Sequence, residues 1–334
     1  MTAHTDRKKI EQVFGRFGAV ITIGDAHDAG VPSACLRRAE ASGTVIRLSK
    51  NAFVLRDVWD CADDWERFRL NSIGFALGAA RHIFLTGASA QILLGLPVLS
   101  AAPALPIAIR IRPTTSGTNI TPHGRVRTGF VPPIHQWTRE RVRVVSETYA
   151  AIDVARHSIP SEALAVVDYA MHRGISRDQL ARVLDDLPRY PGIEQAAWAV
   201  QHGDERAESP LESLGRLAFL EAGLPVPLSN VWISEGGTSY RADHLLPEYS
   251  VILEGDGGLK LNNRPNAHSV IRKQIARESW LRSRGFAIER YDYPMAVNNR
   301  WKIVALAQQA ARSQLGKTIP TCWSLEPPRH LRYG

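Results

Sequence analysis

The sequence predicts a multidomain chain of the α/β class, with helices and strands segregated in the α+β manner. Three observations lead there. Apolar residues recur at helical spacing in some stretches and alternate with polar ones in others. At 334 residues the chain is long enough for two or three separate cores. Residues 188–209, with Pro188, Pro191, Gly192, Gly203 and Ser209, interrupt the pattern as a linker does. The expected divisions are residues 1–60, 61–190 and 205–315, with 316–334 an irregular tail holding Pro320, Pro327 and Pro328.

Composition narrows the function classes. Apolar content of 44% and charged content of 22% are ordinary globular values. The formal charge of +8, from 41 Lys and Arg against 33 Asp and Glu, favours an anionic partner. Cys35, Cys61 and Cys322 are widely spaced and odd in number, which fits neither a disulfide framework nor a zinc pattern and points to a reducing cytoplasm. The start of the chain, with Asp6, Arg7, Lys8, Lys9 and Glu11, lacks the apolar core of a signal peptide. Residues 83–109 carry no charge, but Gly87, Gly95, Pro97, Pro103 and Pro106 break them into a buried helix, a turn and a strand, so no membrane span is expected.

Residues 9–56 suggest a small helical DNA reader. Ile10, Val13, Phe14 and Phe17 have helical spacing, a second helix follows Ile21 and stops at Gly30, and a third begins at Pro32 and ends before Gly43. Two strands, 45–48 and 52–55, join through Ser49, Lys50 and Asn51. Three helices followed by a hairpin is the order of a winged helix. Its third helix would enter a major groove, with Arg37 and Arg38 reaching bases or phosphates and Arg47 and Lys50 on the wing. Nine Lys and Arg against five Asp and Glu in residues 1–56 agree with that. Winged helices also mediate protein contacts, and paired arginines on a helix also make an ordinary solvated face.

Between residues 63 and 99 the pattern is helical, with Trp65, Phe68, Leu70, Ile73 and Leu77 on a core face and a capped helix from Thr86 closing at Gly95. Residues 106–130 alternate as strands: Ile107, Ile109 and Ile111 against Arg110 and Arg112, then Val126 against Arg125 and Arg127. Residues 101–145 hold seven arginines and only Glu140 as an acid, a block suited either to phosphates or to an exposed sheet face. Three helices, near 146–155, 161–172 and 176–187, each start with a serine.

The chemistry concentrates near the C-terminal end. Ser209 is an N-cap, Pro210 the first helical residue, Glu212 completes a capping box, and Gly223 terminates the helix. A strand at 230–233 precedes a hairpin whose runs, 242–246 and 250–253, flank Pro247, Glu248 and Tyr249. Asp243 lies on the first run, and Glu254 and Asp256, two residues apart, point the same way from the end of the second. Three converging carboxylates repel one another unless protons or a metal intervene, and hard oxygen ligands favour Mg²⁺ or Mn²⁺. Gly255, Gly257 and Gly258 leave room for a close backbone or phosphate, although Asp-Gly pairs also simply make turns. A helix at 268–284, a strand at 287–291 and an amphipathic helix at 301–315 complete the order.

Ser209-Pro-Leu-Glu with Arg216, Arg241-Ala-Asp, Glu254-Gly-Asp-Gly, Arg277-Glu, Leu281, Gly285 and Arg290 together resemble an actinobacterial family related to very-short-patch-repair endonucleases, of the PD-(D/E)xK restriction-endonuclease-like fold. Residues 10–56 look like the winged-helix domain of AbiEi-type antitoxins, and residues 86–153 fit the same multidomain family loosely. The resemblance implies a C-terminal restriction-endonuclease-like α/β domain in which Asp243 and Glu254 hold the metal, Asp256 assists, and Glu212 acts from the first helix. The nuclease signature wants a lysine two residues after the glutamate, where Asp256 stands. Lys260 is the expected substitute, with Lys273 and Gln274 on the following helix also in reach. No Gly-rich phosphate loop, His-Glu-x-x-His or Gly-x-Ser-x-Gly motif offers another chemistry. The expected function is therefore cytoplasmic DNA binding with metal-dependent phosphodiester hydrolysis. The alternative is a non-catalytic repressor or antitoxin whose C-terminal domain binds a cognate toxin protein.

Overall fold

The computed structural model describes residues 2–79, 82–111, 117–257, 267–328 and 331; the sequence-predicted Arg112, Gly258, Lys260, Arg329 and Arg332 lie outside them. The fold is multidomain α/β, with helices distributed around a three-stranded, a five-stranded and a six-stranded sheet among the described residues. Two compact units divide the chain, one of residues 1–166 and 175–201, the other of 167–174 and 202–334.

The first unit begins with helix Thr2–Phe17, strand Val20–Thr22, helices Ile23–Asp28 and Ser33–Ala41, and strands Val45–Arg47 and Ala52–Leu55. The central strand of the antiparallel three-stranded sheet is Ala52–Leu55. This is the winged-helix arrangement. Ile10, Val13, Phe14, Ile21, Leu36, Val45 and Phe53 fill its core, because helical spacing on the helices and alternation on the hairpin turn them to one side. A capping box between Thr22 and Asp25 starts the second helix, satisfying two backbone N–H groups that would otherwise lack partners. Strand Val20–Thr22 is too short for a periodicity signal and escapes the sequence.

The same unit continues with a mixed six-stranded sheet. Within the uncharged residues 83–109 lie strand Phe84–Leu85, helix Gly87–Leu94 and the start of strand Ile107–Ile111. Among the described residues no helix is long and apolar enough to cross a membrane. Thr86 occupies the N-cap position, but its hydroxyl donates to Asp153 and does not cap the helix. Helix Ile193–His202 occupies the stretch expected to be a linker. Ile193, Ala196, Ala199 and Val200 carry its helical spacing, masked in sequence by the Pro and Gly residues that flank it.

The second unit is built on strands Leu228–Glu235, Thr238–Leu246, Val251–Asp256 and Ala287–Asp292. The first three form an antiparallel meander and the fourth runs parallel to the third, reached through helix Ala267–Ser283. A parallel neighbour needs such a crossover, whereas the meander needs only turns. At the hairpin, Pro247–Tyr249 makes a single 3₁₀ turn, and Ser250 adopts φ +54° before the chain re-enters the sheet. Helices Pro210–Glu221 and Trp301–Ser313 contact the sheet and each other. The tail expected to be irregular contributes strand Trp323–Ser324, which pairs with Leu228–Glu235 at the sheet edge.

Gly215 marks where helix Pro210–Glu221 approaches the sheet most closely. A Cβ there would fall on the Tyr291 hydroxyl and 2.8 Å from His244 Nε2, both on buried side chains. Gly215→Ala is expected to destabilise the protein by about 1–3 kcal/mol through overpacking, outweighing the ~1 kcal/mol of added helix propensity. Gly15→Ala, in helix Thr2–Phe17 with open space around the new methyl, is expected to be neutral or stabilising by up to ~1 kcal/mol. Denaturant unfolding of both variants checks the contrast.

Candidate functional site

The candidate site follows one row across the five-stranded sheet. Pairs Ser229↔His244 and Val231↔Ala242 set Asn230 opposite Asp243. His244↔Leu253 sets Asp243 opposite Glu254, and Glu254 pairs with Arg290 on the parallel strand. The row thus reads Asn230, Asp243, Glu254, Arg290. Asn230 has φ +54°, a left-handed conformation that asparagine tolerates better than branched residues. Leu228 and Val231, three residues apart, join one core cluster, as do Ala242 and Leu245. In-and-out alternation is therefore interrupted at Asn230 and Asp243, which a strict period of two does not reveal.

Each carboxylate has defined partners. Asp243 Oδ2 accepts the Gly255 N–H at 2.8 Å. Glu254, buried, accepts from Arg277 Nη2 at 2.8 Å, and the same nitrogen donates to the Arg241 carbonyl at 2.6 Å. Glu212, buried at the start of helix Pro210–Glu221, accepts from the Ser209 hydroxyl at 2.7 Å, the Glu208 N–H at 3.0 Å and Asn230 Nδ2 at 2.6 Å. Ser209 caps the helix by accepting the Glu212 N–H, but the expected capping box does not close: the Glu212 carboxylate takes the Glu208 N–H in place of the Ser209 N–H, and one of its oxygens reaches the row through Asn230. Asp256 is half exposed and pairs with Arg290 at 3.1 Å, which in turn reaches Glu278 at 3.0 Å.

Electrostatics bind three of these groups together. Burial, then the nearby Asp243 charge, pushes the Glu254 carboxyl up to about 7, against the opposing pull of Arg277 and Arg290. Burial raises Asp243 as well, although the Gly255 N–H and Arg277, Arg241 and Arg290 oppose it. Glu212 is raised chiefly by burial, with Asp243 contributing. Tyr291 is buried facing the same charges, and burial followed by Asp243, Glu212 and Glu254 holds its hydroxyl protonated well above the usual range. Its oxygen lies 2.8 Å from His244 Nε2, and burial pushes that imidazole down to about 3, so it is neutral.

Among the described residues no three His, Cys, Asp or Glu side chains are gathered into a ready metal cage. Mg²⁺, however, is commonly held by only one or two carboxylates together with water and substrate phosphate. Asp243 and Glu254 fit such a site: both are oxygen donors, adjacent across a strand pair, and the Asp243 charge disfavours ionisation of Glu254. Asp256, expected to converge with them, is half exposed and ion-paired with Arg290 at 3.1 Å. The expected cationic substitute, Lys260, lies outside the described residues, and Lys273 is exposed with no carboxylate partner among them. Arg277 supplies the cation that sequence reasoning missed. Its place in the Arg277-Glu pair was the available signal, but periodicity alone could not aim it at Glu254, 23 residues earlier.

In the winged helix, Arg37 and Arg38 are exposed on helix Ser33–Ala41. Arg47 is differently placed: its guanidinium forms two bonds of 2.7 and 2.6 Å to Glu40, donates to the Lys50 carbonyl at 2.7 Å, and lies over the Phe53 ring. It ties the hairpin to the third helix, which leaves Lys50 exposed at the turn.

No known family profile matches the chain. It is similar to two uncharacterised proteins of Mycobacterium tuberculosis, from strains CDC 1551 / Oshkosh and ATCC 25618 / H37Rv, at 29% identity over 143 residues, 40% of this chain and 53% of each relative. The chain spans about half the length of these curated relatives.

A raised Glu254 makes stability depend on pH. The native carboxyl keeps its proton up to about 7, whereas the unfolded chain releases it near the ordinary value of ~4.3. Between those limits the native state binds more protons, so this group's contribution declines as pH rises from ~4.3 to about 7. Glu254→Gln is expected to remove that decline and, at pH 8, to be more stable relative to wild type than at pH 5, by up to about 3 kcal/mol. Chemical denaturation at both pH values measures the difference.

Proposed function

We propose that the chain is a DNA-binding protein whose C-terminal unit hydrolyses phosphodiester bonds with a divalent cation, Mg²⁺ or Mn²⁺. The observation that carries this reading is the opposed pair of half-buried Asp243 and buried Glu254, whose repulsion a cation would relieve. The sheet order, a three-stranded meander followed by a helix and a parallel strand, agrees with the PD-(D/E)xK resemblance, and the basic winged helix supplies a DNA reader.

In this reading Asp243 and Glu254 hold the cation. When bound, it would supply a polarised water and charge to offset that developing on the phosphoryl oxygens. Arg277 orients Glu254 through its hydrogen bond while the Arg241 carbonyl holds its own guanidinium in place. Glu212 holds Asn230 beside Asp243, keeping the irregular backbone of the row in place. Gly255 carries no side chain over the site and donates its N–H to Asp243. Asp256 stands where the signature lysine is expected, so the balancing cation falls to Arg277 or to Lys260. A cytoplasmic location belongs to the same proposal.

A second reading is a non-catalytic repressor or antitoxin that binds DNA and a cognate toxin protein. It is favoured by the Arg290–Asp256 and Arg277–Glu254 ion pairs, which neutralise two of the acidic groups without a metal.

Two experiments decide. Glu254→Gln is expected to abolish Mg²⁺- or Mn²⁺-dependent nicking while leaving DNA affinity within a few-fold, because binding rests on the reader. If wild-type protein, given either metal and varied DNA substrates, never cuts yet binds its own promoter DNA, the hydrolase reading falls and the repressor reading stands. Replacing both Arg37 and Arg38 with Ala is expected to weaken DNA binding and reduce the salt slope of log K by ~2. An unchanged slope in an anisotropy titration would remove these arginines from the interface.

A further inference from the structure

The first unit holds a second cluster of charges that phosphodiester hydrolysis leaves unused. Asp153, in helix Glu147–Ala155, is buried and accepts the Thr86 hydroxyl at 2.7 Å. Arg127 Nη1 lies 3.4 Å and Arg156 Nη1 3.5 Å from its oxygens. Arg156 also donates to the Pro191 carbonyl at 3.1 Å and lies over the Tyr190 ring. One carboxylate therefore faces two largely buried guanidinium groups. Arg125 stands two residues before Arg127 on strand Gly124–Gly129; it is exposed, and its guanidinium has no hydrogen bond or ion pair among the described residues. Burial, with Arg156 and Arg125 adding like charge, holds Arg127 below its ordinary range in spite of Asp153.

These cations line open space. A cavity of about 450 Å³ is bounded by Trp65, Gly87, Ile107, Arg125, Arg127 and His157. A smaller one of about 240 Å³ shares Arg127 and His157 and includes Asp153 and Arg156. Ligand sites of this size are usually apolar cavities with a few polar groups at one end. Here the apolar wall is Trp65, Pro103, Ile107 and Val154. The lining also includes Gly87 and Ala88, the first turn of helix Gly87–Leu94. That helix has no side-chain cap, because Thr86 gives its hydroxyl to Asp153, so its first N–H groups and positive dipole end remain for another acceptor. Glu162 also reaches the large cavity, and its oxygens are taken by Gln91 Nε2 at 2.8 Å, the Leu99 N–H at 3.3 Å and the Ser100 hydroxyl at 2.5 Å. Its negative charge disfavours a polyphosphate and leaves room for one anionic group beside the arginines.

The geometry points to a binding site for a single phosphomonoester carrying an apolar or aromatic body, of the nucleoside monophosphate class. The phosphate lies against Arg125, Arg127 and the start of helix Gly87–Leu94, and the body lies along Trp65, Pro103 and Ile107. The same chemistry is presented by a free mononucleotide and by the 5′-phosphorylated end of a short oligonucleotide. Arg125 discriminates best in a test, since its guanidinium has no partner among the described residues to lose on substitution.

Calorimetric titration of the full chain with adenosine 5′-monophosphate, thymidine 5′-monophosphate, inorganic phosphate and adenosine tests this site without any metal. Either monophosphate is expected to bind and raise the melting temperature, inorganic phosphate to compete with it, and adenosine to bind about tenfold or more weakly for want of the charge-assisted contacts. Arg125→Ala is expected to weaken the monophosphate about tenfold while the ligand-free melting temperature stays unchanged. A 5′-phosphorylated tetranucleotide binding more tightly than the mononucleotide, with its 5′-hydroxyl counterpart binding weakly, would assign the phosphate to a nucleic-acid end; the reverse order would assign it to a free nucleotide. Absence of binding and of thermal shift with both monophosphates at millimolar concentration overturns the proposal. So does an affinity that Arg125→Ala leaves unchanged.

Discussion

Two carboxylates held side by side in a low-dielectric sheet are the constraint on which the second unit depends. Asp243 and Glu254 face each other across a strand pair and both resist ionisation. Such a pair persists only where donors and opposite charges offset its desolvation. Arg277, reaching from the crossover helix, and the Gly255 N–H perform that task. The helix that makes the parallel connection is therefore also the element that completes the site. Geometry required by topology and geometry required by charge coincide there.

Around that pair the unit is stiffened by a second buried ion pair with a different role. Arg216 meets Asp168 at 2.8 Å and donates to the His202 carbonyl at 2.6 Å, while the Asp204 N–H also reaches Asp168. Burial pushes the Asp168 carboxyl up to about 6 in spite of the guanidinium. Arg216 was a motif residue in the sequence, and its side chain anchors helix Pro210–Glu221 at a distance from the row of carboxylates. For such a buried ion pair the desolvation of both charges largely offsets their attraction.

Arginine serves opposite ends in the first unit. Arg47 is consumed by Glu40 and Phe53, whereas Arg37 and Arg38 remain on an exposed helix face. In the six-stranded sheet, Arg127 is turned inward to Asp153 while Arg125, on the same strand, is exposed and has no ion pair among the described residues. The basic composition of residues 101–145 is thus a mixture of internal counterions and available charge, and only the latter can meet an anionic ligand.

The residues alone determined most elements, since helical spacing, the Ser209 and Ser176 caps, the Pro247–Tyr249 turn and the glycine stops are local signals that act over a few positions. They also placed Asp243 on one strand of the hairpin and Glu254 and Asp256 on the other, and the observed register sets the first two opposite each other. Helix Ile193–His202 and strand Trp323–Ser324 stayed hidden: the first is flanked by breakers, and the second exists only because a neighbouring strand edge pairs with it. The tertiary structure decided the rest. It interrupted alternation at Asn230 and assigned Arg290 to Asp256, Arg277 to Glu254, Arg216 to Asp168 and Arg127 to Asp153. Those pairings join residues 23 to 48 positions apart, where chain connectivity imposes no preference and only burial and charge select a partner.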